Sequence, residues 1–110
     1  MIITLDYLAK AWEKYNVQYF DGALRKPRFK IDNSKRRMGC YHPSECMITI
    51  SKYYDRTEKQ YDTTIIHEMI HQYIRQNNIR DTSAHHGKVF KGIAARINMD
   101  GWNIRTRTGC

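Results

Sequence analysis

Five consecutive residues, His67-Glu68-Met69-Ile70-His71, constrain this chain more than anything else in it. Histidines four apart stand one helical turn apart, so both imidazoles rise from one face and can share a metal ion. Glu68 lies about 100° further round the helix, too far to be a third ligand beside them. It is placed instead to hold and deprotonate a water that the metal polarises, which is the division of labour in a zinc hydrolase. The pattern is short enough to arise by chance, so its neighbours must support a helix. Ile65, Ile66, Met69, Ile70, Tyr73 and Ile74 fall on one continuous arc with the histidines at its edge. That arrangement predicts a half-buried helix with its ligands at the margin of the core. Thr57 and Gln60 offer a capping box, Asp62 and Thr63 are alternative starts, and Asn77-Asn78 is the expected stop.

A catalytic zinc takes three protein ligands and keeps one position for water. The third ligand comes from the stretch 81–87, Asp-Thr-Ser-Ala-His-His-Gly. His86 lies fifteen residues beyond His71, enough for one helix to end, a loop to turn and another helix to begin. Phe90, Ile93, Ala94 and Ile97 then recur at helical spacing and give that second helix an apolar face. His85 is the competing ligand.

HEMIHQY at 67–73, HGKVF at 86–90 and YFDG at 19–22 together resemble the SprT-like zinc metalloproteases, over about residues 5–98. In that family a later His directly followed by Gly opens the next helix. This selects His86 over His85, because only His86 precedes Gly87. The resemblance implies an α+β, zincin-like fold with an N-terminal helix, a small three-stranded and mostly antiparallel sheet whose last strand lies beside the active helix, and two further helices carrying the ligands. It also implies a zinc endopeptidase acting on proteins. His67, His71 and His86 would hold one Zn²⁺, and Glu68 would act as general base and then return the proton to the leaving amine. His85, Tyr53 and Tyr54 are the candidates for oxyanion or substrate contact, with Tyr61 a further one by residue type. Relatives that carry a C-terminal zinc ribbon need paired cysteines. No CxxC occurs here, so 1–110 reads as one SprT-like domain without a ribbon.

The remainder of the chain suits one small α+β domain of 110 residues, 41% of them apolar. Leu5, Leu8, Trp12, Tyr15 and Tyr19 predict a core-facing helix over 5–20, capped by Thr4 and ended by Asp21-Gly22. Phe29 and Ile31 alternate with polar residues, as on a half-exposed strand, and further strands are expected over 37–41, 47–51 and briefly from Trp102 to Arg105. His42, next to Pro43, reads as a solvated loop histidine rather than a ligand. Three cysteines are an odd number, and Cys40 and Cys46 could meet across a hairpin, but free thiols are the expected state. No run of about 18 apolar residues and no secretion signal is visible, so the expected location is cytoplasmic or nucleoid-associated and the expected state a monomer.

Nineteen Lys and Arg against eleven Asp and Glu leave a net charge of +8. Arg28, Lys30, Lys35, Arg36 and Arg37 are the candidate nucleic-acid contacts, with Tyr41, Tyr53 and Tyr54 available to stack on unpaired bases. The Spartan branch of the family, which degrades proteins crosslinked to DNA, favours single-stranded or distorted DNA as a partner. Acidic protein substrates would also account for the charge. A different class of function is a basic DNA-binding or scaffold domain around a structural zinc, which would need a cysteine to close the fourth position.

Overall fold

The computed structural model describes residues 1–82 and 86–106. Capping residues set the helix ends. Helix α1, Leu5–Phe20, begins where Thr4 Oγ1 accepts the Tyr7 N–H at 3.1 Å, and it ends at Asp21 and Gly22, both at positive φ. Helix α2, Glu58–Gln76, opens with a reciprocal capping box between Thr57 and Gln60. That fixes its start ahead of Asp62 and Thr63, since two otherwise unpaired N–H groups are satisfied there. It stops at Asn77, and Asn78 follows at φ 52°. Helix α3, Lys88–Asn98, buries Phe90, Ile93, Ala94 and Ile97 on one face.

Strands β1 (Arg28–Asp32), β2 (Gly39–His42) and β3 (Met47–Ser51) form a sheet in the order β1-β3-β2. Strand β2 starts two residues later than expected, because Ser34 Oγ accepts the N–H groups of both Arg36 and Arg37 and holds that segment in a turn. It also takes in His42, whose Nε2 lies 2.9 Å from Thr49 Oγ1, so this half-buried histidine is a strand residue and not a solvated loop one. A short 3-10 turn over Pro43–Glu45 joins β2 to β3 as an antiparallel pair. β1, in contrast, pairs with β3 in parallel. The sheet is therefore mixed, where mostly antiparallel pairing is expected. Ile48 and Ile50 of β3 are fully buried, so β3 belongs in the centre, and inserting it between its predecessors forces it parallel to β1. As a result the edge strand at α2 is β2 and not the last strand.

α1 packs across α2 through a buried polar network as well as apolar contacts. Trp12 Nε1 donates to Gln72 Oε1 at 3.1 Å, and the fully buried Gln72 in turn donates to the Arg25 carbonyl. The hydroxyls of Tyr7 and Tyr15 both donate to the buried Asp62 carboxylate. Burial, and then that bond to Asp62, push both phenols above the ordinary tyrosine value. Paired in this way, the polar groups fix the register of α1 on α2 without the penalty of unsatisfied burial.

After α3, no strand forms among the described residues. The Asn98 side chain instead brackets Ile104, donating to its carbonyl at 3.2 Å and accepting its N–H at 2.8 Å. Trp102 donates to Tyr19 Oη at 2.7 Å, and Lys59 Nζ lies 4.4 Å from its ring centroid. This extended segment brings Asn103 and Arg105 to the N-terminal half of α2. Cys46 is a free thiol, whereas Cys40 is disulfide-bonded, so the free-thiol expectation fails for Cys40. An odd count leaves room for one pair and one leftover.

Candidate metal centre

Helical geometry brings His67 and His71 onto one face of α2, half-buried at the edge of the apolar arc. The chain then turns back and delivers His86 immediately before α3. His86 Nε2 lies 3.1 Å from His67 Nε2 and 3.2 Å from His71 Nε2. The three ring centroids form a nearly equilateral triangle with sides of 5.1, 5.0 and 4.9 Å. Two metal–nitrogen bonds of about 2.05 Å at a tetrahedral angle place their nitrogens about 3.3 Å apart, so the spacing of these rings fits one small cation. Among the described residues the trio stands as a ligand group that neither Cys40 nor Cys46 joins. The closed four-ligand site that a structural zinc requires is thus not assembled from them.

Beneath the triangle lies Phe90, fully buried, with its ring centroid 4.9, 4.6 and 4.7 Å from those of His67, His71 and His86. Phe90 is itself anchored by Asp81, whose carboxylate accepts the N–H groups of Val89 and Phe90 at 2.9 Å each. Burial raises the Asp81 carboxyl, but the N–H groups of Val89, Phe90 and Thr82 outweigh that and hold it below its ordinary value. The arrangement requires Gly87, since a Cβ there would sit 2.2 Å from Asp81 Oδ1. His-Gly is therefore followed by a helix because the glycine lets an upstream carboxylate reach that helix's first turn.

Glu68 is only 1% exposed. The backbone N–H of Tyr41 on β2 faces this carboxylate and favours its charged form, while Oε1 is buried with no partner among the described residues. Burial pushes its pKa up, opposed by that backbone N–H and by the nearby Arg37 charge. An orphaned buried carboxylate oxygen one residue from a triangle of ligand nitrogens is the feature that a water at a metal would satisfy. β2 comes this close to α2 because residue 39 is glycine. A Cβ at Gly39 would lie 2.8 Å from Thr64 Cγ2 and 3.0 Å from the Thr49 carbonyl oxygen.

A cavity of about 500 Å³ opens beside His67 and Glu68. Its walls include Arg36 and Arg37 from the turn before β2, Arg56 and Lys59 from the start of α2, and Arg105 from the last described segment. Of the candidate nucleic-acid contacts, Arg36 and Arg37 are thus at the site. Arg28 and Lys30 stand exposed on β1, at the opposite edge of the sheet, where Arg28 lies 3.8 Å from Glu45. Lys35 sits 5.4 Å from the Tyr53 ring centroid, and its carbonyl accepts the Tyr54 hydroxyl. Neither Tyr53 nor Tyr54 lines the cavity, and Tyr61 is buried in the core. His85 lies outside the described residues. Sequence reasoning passed over Arg56, Lys59, Gln60, Thr63 and Thr64. The signal was present: Gln60, Thr63 and Thr64 precede His67 by seven, four and three residues, which extends the ligand face two turns upstream.

The sequence model of the SprT-like family matches residues 8–108. Among solved structures, the fold is similar to the metallopeptidase zymogen abylysin of Pyrococcus abyssi, at 16% identity and a TM-score of 0.56, over 93% of this chain and 100% of that one. No curated protein matches the sequence. The likeness to abylysin speaks for the fold, and the family match, which spans nearly the whole chain, carries the assignment: this protein belongs to the SprT-like family.

Proposed function

We propose that this protein is a zinc-dependent endopeptidase whose general base is Glu68. The observation that carries the reading is the unpartnered, buried Oε1 of Glu68 beside three converging imidazole Nε2 atoms. His67, His71 and His86 would hold Zn²⁺, which supplies Lewis-acid polarisation of the scissile carbonyl and a lowered pKa for the attacking water. Glu68 Oε1 accepts that water's proton and passes it to the leaving amine nitrogen. The Tyr41 N–H of β2 faces the same carboxylate and favours its charged form, the form a base needs.

β2 supports a substrate role as well. The Met38 carbonyl accepts the Ser51 N–H across the β2–β3 pair, whereas the Tyr41 N–H points the other way, to Glu68. Alternation along an antiparallel strand then turns the Gly39 N–H and carbonyl outward as well, on the cavity wall. An extended peptide can pair with that edge and lay its backbone beside the metal site. The split of the basic residues between the two sheet edges favours a peptide-facing role for Arg36 and Arg37.

The test is Glu68→Gln with metal analysis and an unfolded-protein cleavage assay, with and without single-stranded DNA. The expected result is equimolar zinc in both proteins and a loss of cleavage of about 10²-fold or more in the variant. Equal cleavage by both would remove Glu68 from the chemistry. Stimulation by DNA would narrow the substrates to DNA-associated proteins, and no stimulation together with no binding at low salt would exclude that branch.

A further inference from the structure

The cavity beside the metal centre has a charge pattern that peptide hydrolysis by itself does not require. Arg36, Arg37, Arg56, Lys59 and Arg105 all line it, and Glu68 is the one acid among its described lining residues. Among the described residues, no ion pair uses Arg36, Arg56, Lys59 or Arg105. Arg56 is the most telling of the set. Its Nη2 is tied to the Gln60 carbonyl at 3.1 Å and to Thr64 Oγ1 at 2.6 Å, while Nη1 is buried without a partner. Its guanidinium also rests 5.0 Å from the Tyr61 ring centroid. A guanidinium fixed on three sides, half out of water and with no carboxylate beside it among the described residues, is suited to pair with an anion.

We propose that this cavity is a specificity subsite that selects an Asp or Glu side chain next to the scissile bond. The inference rests on the endopeptidase reading and deepens it. What fills a space walled by His67, Glu68 and the outward edge at Gly39 has to be continuous with the bond being cut. A peptide paired on β2 projects alternate side chains to either face of the new strand, and one set faces the cavity. A volume of about 500 Å³ accommodates an acidic side chain with its neighbours. A nucleic-acid backbone in the same space would occupy the position of the peptide, so DNA acts here as a competitor and not as the resident ligand.

The experiment uses the zinc-loaded full chain and a library of peptides acetylated and amidated at their ends, with Glu, Gln or Lys scanned through the positions flanking the cut. Glu is expected to exceed Gln in kcat/KM at one flanking position by about tenfold or more, equal to about 1.4 kcal/mol. That ratio should fall towards one in Arg56→Gln and in Arg36→Glu. The second variant changes an exposed side chain and serves if the first fails to fold. A wild-type ratio near one, a preference for Lys, a ratio unmoved by both variants, or a requirement for a free C-terminal carboxylate would overturn the proposal. If no peptide is cut, the endopeptidase reading fails, and calorimetric binding of the same peptides to the protein decides the subsite separately. Tighter binding of the Glu peptide than the Gln peptide then supports it. Equal binding, or an oligonucleotide that binds while the Glu peptide does not, overturns it.

Discussion

Gly87 decides how firmly His86 is held. With hydrogen in place of a side chain, it leaves room for the Asp81 carboxylate to cap α3 from six residues upstream. Gly87→Ala should therefore dislodge that carboxylate and leave two helix N–H groups unpaired. A loss of about 1 kcal/mol is expected, as for other lost caps. Zinc affinity should fall with it, because His86 sits between the cap and the helix; calorimetric zinc titration and chemical denaturation check both effects. Asp81 adds a pH signature. Its folded-state pKa is depressed, so its contribution to stability is present above the unfolded value of about 3.9 and is lost as pH falls through the folded value. In metal-free protein, Asp81→Asn should flatten the acid limb of stability against pH below about pH 4. The convergence of His67 and His71 was legible in the sequence, because a helix converts spacing directly into direction, and that of His86 through the His-Gly pattern of the family resemblance. Asp81 and Arg56 were not, since each acts through a backbone approach that spacing does not encode.

The element that turns a metal site into a cleft is β2. Its position against α2 depends on Gly39, where a methyl group would meet Thr64, Ile50 and the Thr49 carbonyl at 2.8 to 3.0 Å. Gly39→Ala should push the strand outward and draw the Tyr41 N–H off Glu68. The expected cost is roughly 1–3 kcal/mol, typical of overpacking. Its functional signature is a lower kcat at unchanged zinc stoichiometry, since no ligand histidine lies on that strand. Steady-state kinetics alongside metal analysis separates this from a ligand defect. The ends of α1 were legible to the residue, because Thr4 and Asp21-Gly22 are local signals, whereas the start of α2 stayed open among Thr57, Asp62 and Thr63 until the capping box was formed. Strand order was not legible. Inserting β3 between β1 and β2 reflects how deeply Ile48 and Ile50 must be buried, and that depends on helices far away in sequence.

Over the entire chain, the proposed zinc ties α2 to the start of α3, two segments that also meet where Phe90 packs against His67 and His71. Metal bound only by the folded form adds stability by mass action, about 2.7 kcal/mol at a hundredfold excess over Kd. For a domain near this size each kcal/mol moves Tm by roughly 4–8 °C. Calorimetry should accordingly show a Tm rise of roughly 10 °C or more from chelated to zinc-saturated protein, absent in His86→Ala. The net charge of +8 was plain in the sequence, but its division between a β1 edge and a cavity at the metal emerges only once the strands are ordered.

The outward-facing backbone of Gly39 carries a wider consequence. An edge that greets its guest by amide and carbonyl accepts only a chain whose own amides are uncommitted. On the proposed reading, this peptidase would spare intact neighbours, including other copies of itself, and attack them once they unravel; the victim's loss of structure, more than any motif, would be the signal for its destruction.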